Sequence, residues 1–334
     1  MALDSFIALV MLAALIAYAV LAGADFGAGV WDLLSIGPRQ GAQRRAIAEA
    51  IGPVWEANHV WLIFLIVLLF TCFPVAYAAI STALFWPLHF VLIGIVLRGS
   101  AFVFRAYGAP TAAAQAAWGR IFGAASAVSP ILLGMCLGAI STGGIRAIGG
   151  IVTRQSGSAW LAMFPAATGI LALLLCAYLA AVYLAWESRG DLQDDFRRRA
   201  LVTWLVAGVA SVATLLLARA HAARLWDGLT SMPALALIAA GVLLAPASAY
   251  ELWRRRFGRA RLIGAAQVVV LLTGWAAAQW PYLVYPDLTV PGSAAPSSTL
   301  SLTAATLPIG VAAVVPSLWW LFAVFKGRNP QPRS

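Results

Sequence analysis

Residues 6–34 read FIALVMLAALIAYAVLAGADFGAGVWDLL, and this stretch decides the architecture. A helix needs about 20 mostly apolar residues to cross the hydrocarbon core of a membrane. This run is longer, so it can tilt or project beyond the lipid. Leu21-Ala22-Gly23-Ala24 resembles a signal-peptide cleavage site. However, no Lys or Arg precedes the apolar run, and Asp4 sits where positive charge belongs. The segment therefore reads as a retained spanning helix. Within it lie Asp25 and Asp32. A charge at a helix centre costs roughly 2.5–3.5 kcal/mol on insertion scales, so each of these acids asks for a reason.

Similar apolar runs recur along the chain of 334 residues, which is 62% hydrophobic and 10% charged, with a mean hydropathy of +0.88. Soluble globular proteins are about 45–50% apolar and about 25% charged. A water-soluble enzyme, a nucleic-acid module and a disordered chain are excluded. Nine spans are predicted, at 6–34, 51–73, 79–104, 120–140, 159–185, 201–219, 231–250, 262–281 and 303–325. The expected fold is all-α: a polytopic membrane protein of about nine transmembrane helices, forming two four-helix bundles plus one extra helix. Residues 1–334 then form a single integral membrane domain. Residues 1–140 would be the first, acid-bearing bundle, 159–185 the dividing helix and 201–325 the second bundle. The connection 281–302, with Pro281, Pro286, Pro291, Pro296 and several Ser, is expected to be irregular. Trp280, Tyr282 and Tyr285 suit an interfacial aromatic belt.

Most of the 22 basic residues fall in connections on one side of these spans, including Arg44, Arg45, Arg197–Arg199 and Arg254–Arg256. The positive-inside rule places that side in the cytoplasm, with the N-terminus outside and the C-terminus inside. Cys72, Cys136 and Cys176 lie in apolar stretches without a Cys-x-x-Cys pair and read as small core residues.

Two polar regions stand out. The first is Gly23-Ala24-Asp25-Phe26-Gly27-Ala28-Gly29, whose glycines allow another helix to approach closely. Asp25 lies roughly 12 Å inside the end of its span, and Asp32 follows seven residues later. The second is Gly52-Pro53-Val54-Trp55-Glu56-Ala57-Asn58-His59-Val60-Trp61, opening the second span with Pro in the first helical turn. Glu56 and His59, three apart, share a face. Because the first two spans are antiparallel neighbours, Asp32, Glu56 and Asp25 occupy one half of the membrane and could form a series that passes protons inward. Desolvation raises carboxylate pKa values and permits protonation near neutral pH. The plainer alternatives are helix packing, hydrogen-bonded buried carboxylates and a polar helix start. Arg98 and Arg105 lie on one face of the third span. They snorkel to the headgroups, pair with Asp32 or Glu56, or contact a partner subunit. His59 and His89 fall at similar depths, the minimum requirement for a bis-histidine haem, although each also reads as a hydrogen-bonded helix residue. No nucleotide-binding Gly loop, Ser/His/Asp set or metal-ligand spacing is present.

These residues resemble subunit II of cytochrome bd-type quinol oxidases. The likeness rests on the Gly/Asp motif of the first span, Gly52–Leu62, Phe73-Pro74 with Tyr77, and Leu97-Arg98-Gly99 with Phe102 and Arg105. It returns at Trp280-Pro281-Tyr282-Leu283-Val284 and Thr299-Leu300. Glu56 and His59 are similar to the cyanide-insensitive branch. The resemblance implies a haem-free subunit paired with a haem-bearing subunit I, which holds b-type and in some members d-type haems and the quinol site. It implies oxidation of quinol at the outer face of the bacterial cytoplasmic membrane and reduction of dioxygen to water. Protons would come from the cytoplasm, so the reaction is electrogenic without pumping. Some members contain a small accessory subunit or hold a structural quinone. The position of Glu56 is assigned in the family to proton uptake, and Asp25 matches an acidic family position. The expected proton path is Glu56, Asp25 and Asp32, supported by Asn58, His59, Trp55, Trp61, Arg98 and Arg105, with membrane lipids around the complex. The competing readings are a proton-coupled secondary transporter and a purely structural assembly partner.

Overall fold

The long apolar run at the start of the chain is one unbroken helix, α1 (Leu3–Leu33), in the computed structural model, which describes residues 2–51, 55–108, 111–148 and 151–326. The chain then forms α2 (Gln40–Ile51), α3 (Trp55–Asn58), α4 (Val60–Cys72), α5 (Pro74–Ala83), α6 (Phe85–Val103) and a π-helical turn, Phe104–Gly108. Next come α7 (Ala112–Thr142), a strand pair β1 (Ala147–Ile148) and β2 (Ile151–Val152), a 3-10 helix (Arg154–Leu161) and α8 (Met163–Glu187). The remainder is α9 (Asp191–His221), α10 (Ala223–Leu229), α11 (Met232–Trp253), α12 (Phe257–Gln279), β3 (Tyr282–Val284), β4 (Leu288–Thr289), α13 (Val290–Ser293) and α14 (Ser297–Lys326). Both strand pairs are antiparallel. Among the described residues, eight helices are long and apolar enough to cross a membrane, and nine if α4 and α5 count as one span.

Three sequence expectations need correction. The predicted span 51–73 is not one helix: it is divided at His59 into α3 and α4, and where it ends α4 bends 119° into α5. With 13 residues, α4 alone reaches only about 20 Å. The bend follows from Pro74, which has no N–H to continue the preceding helix and sits instead in the first turn of α5. The predicted span 79–104 is likewise broken at Leu84, and Pro87 occupies the first turn of α6, where an N–H is not needed. Finally, 281–302 is not simply irregular. It holds the β3–β4 hairpin and α13, and α14 begins at Ser297.

Small residues set the packing. A Cβ at Gly27 would overlap the Cys176 carbonyl, so α1 and α8 meet backbone to backbone. A Cβ at Gly29 would overlap the Ser126 hydroxyl of α7, and Gly134, Gly138 and Gly169 bring α7 and α8 equally close. These contacts make α1, α7 and α8 the centre of the molecule, with α9, α11 and α12 packed beyond α8. Helix α14 leans on α1 and α4. Large apolar side chains point outward from α9 (Val202, Leu205, Val209), α11 (Val242, Leu243) and α14 (Ile309, Trp319, Trp320). An outward apolar surface suits lipid, where hydrocarbon replaces water as the solvent.

Candidate functional site

Among the described residues, the buried charged side chains gather where α1 meets α4, α6 and α7. Asp25 is buried in α1, about two turns from its C-terminal end. Its Oδ2 accepts a hydrogen bond of 2.5 Å from Asn58 Nδ2. Asn58 is the last residue of α3, and the chain restarts as α4 after His59. The interruption of the second span is thus what delivers an amide donor to the acid. Asn58 is itself buried, so the pair forms away from solvent, where a satisfied partner is obligatory.

Arg98 is the largest fully buried side chain, at 1% exposure. Its Nε donates to Ser126 Oγ of α7 at 3.1 Å. Its guanidinium lies 5.1 Å from the Phe26 ring centroid and 5.3 Å from that of Phe122. This cation between two aromatic rings interacts with the Asp25 charge. Snorkelling is therefore excluded for Arg98, which lies inside the bundle. A buried carboxylate and a buried guanidinium tolerate one another where either alone would be costly.

Asp32 is also buried, at 2% exposure, but its partner is Arg105, whose Nη1 lies 2.8 Å from Asp32 Oδ2. Arg105 belongs to the π-helical turn that ends α6. Pairing, one of the alternatives for this face, is made by Arg105, while Arg98 turns toward Asp25 and Ser126. The two aspartates of α1 thus have different surroundings. Asp25 has an amide donor and a nearby buried cation, whereas Asp32 has a direct ion pair at the Arg-rich end.

His59 packs against the Tyr18 and Phe26 rings, with centroids 5.9 and 5.8 Å away. Trp61 joins the same cluster. His89 lies on the exposed face of α6, and its Nδ1 is 2.7 Å from the Phe85 carbonyl of its own helix. The two imidazoles face different surroundings, so a haem ligated by both within this chain does not fit. Trp55 and Glu56 lie in α3, but their side chains fall outside the described residues, as do Gly52, Pro53 and Val54. Among the described residues no group of three His, Cys, Asp or Glu could hold a metal ion.

Sequence reasoning missed Ser126 and a second network at the Arg-rich end. There Arg39 makes a two-point contact with Asp195, at 2.9 and 2.6 Å. Gln43 donates to Asp195 and accepts from Arg199, at 2.9 and 2.8 Å. The Arg199 guanidinium lies 5.1 Å from the Trp31 ring, whose Nε1 donates to the Ala177 carbonyl. These contacts tie α1, α2, α8 and α9 together. A small polar residue in a glycine-rich apolar run was the available signal for Ser126.

The fold and the buried charges define a multi-pass helical membrane protein with an ionisable cluster inside its first helices. The chain belongs to the cytochrome bd terminal oxidase subunit II family, whose model matches residues 3–325. It is thus a subunit of an oxidase of the quinol oxidase family that its motifs resemble, and the family implies a partner subunit I and haem in the complex. It is 24% identical over 324 residues to a protein of Bacillus subtilis (strain 168) provisionally named a cytochrome bd menaquinol oxidase subunit II, covering 92% of this chain and 91% of that one. It is 32% identical over 130 residues to the cytochrome bd-I ubiquinol oxidase subunit 2 of Escherichia coli (strain K12), covering 39% of this chain and 33% of the relative. A structure of the bd oxidase from Geobacillus thermodenitrificans superposes with a TM-score of 0.82 at 23% identity, covering 98% of this chain and 100% of that one. That likeness speaks for the fold.

Proposed function

We propose that this chain is the haem-free second subunit of a quinol:dioxygen oxidoreductase in the bacterial cytoplasmic membrane, with its N-terminus outside and its C-terminus inside. It supports a haem-bearing subunit I, with b-type and in some members d-type haems, and helps deliver cytoplasmic protons for the reduction of dioxygen to water. In this reading the chain is one integral domain. An acid-bearing group of helices, with α14 packed on it, lies on one side of α8, and α9, α11 and α12 form the second group.

The observation that carries the proposal is the buried hydrogen bond from Asn58 to Asp25 at the break between α3 and α4. A carboxylate accepts from an amide N–H; once protonated, it must donate. Asn carries both a donor and an acceptor, so rotation of its amide serves either state of Asp25. Arg98 holds a fixed positive charge nearby and balances the ionised state. Glu56, two residues before Asn58 on α3, is the proposed intake residue. Asp32, expected in the same proton path, is held in an ion pair by Arg105, and in this reading it sets the charge at the Arg-rich end instead of carrying protons.

The test uses the assembled complex with subunit I, reconstituted in vesicles, measuring quinol-dependent oxygen uptake and charge movement. Glu56→Gln and Asp25→Asn are expected to slow both by about tenfold or more, as loss of a positioned proton carrier does. Unchanged oxygen reduction and charge movement in Glu56→Gln, Glu56→Ala and Asp25→Asn would leave only scaffolding. An assembled His59→Ala complex should keep its b-type spectrum; its loss would overturn the haem-free assignment.

A further inference from the structure

The turn from α11 to α12 carries Arg254, Arg255 and Arg256, and the first two turns of α12 add Arg259 and Arg261. Two adjacent clefts open here. One of about 400 Å³ is lined by Trp186, Gln193, Arg255, Arg256, Gly258 and Arg259. The other, of about 300 Å³, is lined by Trp253 and Arg254–Arg256. Arg255 and Arg256 serve both.

Basic clusters at span ends are expected from topology alone, so the cluster needs a further reason to be a site. The shape and charge of the turn supply it. Arg255 adopts a φ of +58°, a left-handed conformation that is costly for a residue with a side chain. Its guanidinium contacts Asp194 at 2.9 Å. Arg256 is only loosely paired with Glu251, at 3.8 Å. Among the described residues, no acidic partner meets Arg254 or Arg259. The half-exposed Trp186 side chain lines the larger cleft. A Cβ on Gly258 would press on that ring at 2.9 Å, and the Arg261 guanidinium stacks over it at 5.4 Å. Three guanidinium groups, those of Arg255, Arg256 and Arg259, thus line the larger cleft, and two of them contact a carboxylate.

Tyr250, Trp253 and Leu262 flank the clefts and are exposed, at 51%, 63% and 66%. A phosphate in the clefts would lie at the edge of the apolar surface of α11 and α12. We propose that these clefts bind the phosphodiester headgroup of an anionic phospholipid, whose acyl chains run along that surface. Arginine matches phosphate by charge and by its paired donors, and basic pockets between helices at a membrane face suit such headgroups. Free phosphate shares the headgroup chemistry but has no use for the apolar flank.

The experiment uses the intact oxidase complex, delipidated in detergent and titrated with phosphatidylglycerol, cardiolipin, phosphatidylethanolamine or inorganic phosphate. Bound lipid is counted by native mass spectrometry. The anionic lipids should be retained, and in the Arg256→Gln/Arg259→Gln complex their affinity should fall about thirtyfold. Arg120→Gln, a charge removed elsewhere on the Arg-rich side, should leave it unchanged. Equal binding of phosphatidylethanolamine, an equal loss in Arg120→Gln, or saturation of the same arginines by inorganic phosphate would overturn the lipid assignment. Should the double variant fail to assemble, a phosphatidylglycerol analogue with a photoreactive headgroup decides on the unmodified complex. Adducts within 253–262 or on Trp186 support the site, and adducts confined elsewhere refute it.

Discussion

Two charged layers at opposite ends of the bundle use the same chemistry for different ends. Inside the helices, Asp25, Arg98, Asp32 and Arg105 hold charge where water is scarce, and three of the four are buried. At the other end, Arg146 clamps Asp287 of the β3–β4 hairpin through contacts of 2.9 and 3.2 Å, with its side chain half exposed. Exposed pairs add little to stability, because water solvates each partner nearly as well as the other does. Buried pairs add little net stability either, but losing one partner is severe. A protein that places several such groups in its core accepts a liability, which makes function there a better explanation than architecture. The exposed clamp needs no such explanation, since it joins the hairpin to the turn after α7.

This contrast breaks first at Arg98. Arg98→Leu leaves Asp25 without its balancing charge and Ser126 without its donor. A loss of roughly 3–5 kcal/mol is expected, read as failure of assembly or a large fall in the Tm of the complex. A Tm within a degree or so of the parent would mean that the buried charges do not depend on each other. Next comes Gly27→Val, which drives a side chain into the α8 backbone at Cys176. Overpacking of this kind costs about 1–3 kcal/mol and should also lower the Tm. If Gly27→Val is silent while Arg98→Leu is not, polar pairing rather than backbone contact holds α1 in place.

The two aspartates sharpen the comparison further. Asp32→Asn leaves Arg105 without its anion and should reduce stability by about 1–3 kcal/mol, with oxygen reduction preserved in what assembles. Asp25→Asn keeps a hydrogen-bonding group at Asn58 but leaves buried Arg98 without its balancing charge. It should therefore lower the Tm and also slow turnover, whereas Asp32→Asn lowers the Tm alone. Equal effects of the two substitutions on both readouts would erase the distinction drawn between a paired acid and a proton-carrying one.

Much of this was legible in the chain. Acids in an apolar run are visible by residue type alone, so Asp25 and Asp32 stood out, as did Asn58 and His59 beside the second helix start. Depth can be counted along a helix at 1.5 Å per residue, which placed Arg98 and Arg105 near the aspartates. Direction cannot be counted this way. Hence the partner of Asp32 stayed open between the two arginines, and His59 and His89 matched in depth while facing different surroundings. The second predicted span stops at Phe73, before Pro74, but hydropathy gives no sign of the breaks at His59 and Leu84; Pro87, in the first turn of α6, was the physical cue for the latter. The Arg39–Asp195–Gln43–Arg199 network joins residues about 150 positions apart. Local spacing carries no signal for such a pairing, and the short polar helix α2 that presents Gln43 has no apolar run to announce it.

The smallest expected effect belongs to the exposed clamp, and its pH dependence distinguishes it from the buried layer. Hydrogen bonds from the Arg146 guanidinium, with a further one from the Ala147 N–H at 2.8 Å, hold the Asp287 carboxyl below the usual carboxylate range. A carboxyl whose pKa is depressed by folding adds stability above its unfolded value, about 3.9. That contribution disappears as pH falls through the lower, folded value. The parent complex should therefore lose this contribution only on acidification below about pH 4, while Asp287→Asn loses it at every pH. Melting curves of the two complexes between pH 7 and pH 3 should start slightly apart and converge at the acid end. High salt should narrow the gap at neutral pH, because exposed charges are screened. A gap that persists unchanged to pH 3 would mean that Asp287 holds the hairpin by shape rather than by charge. The clamp would then no longer serve as the exposed counterpart of the buried pairs.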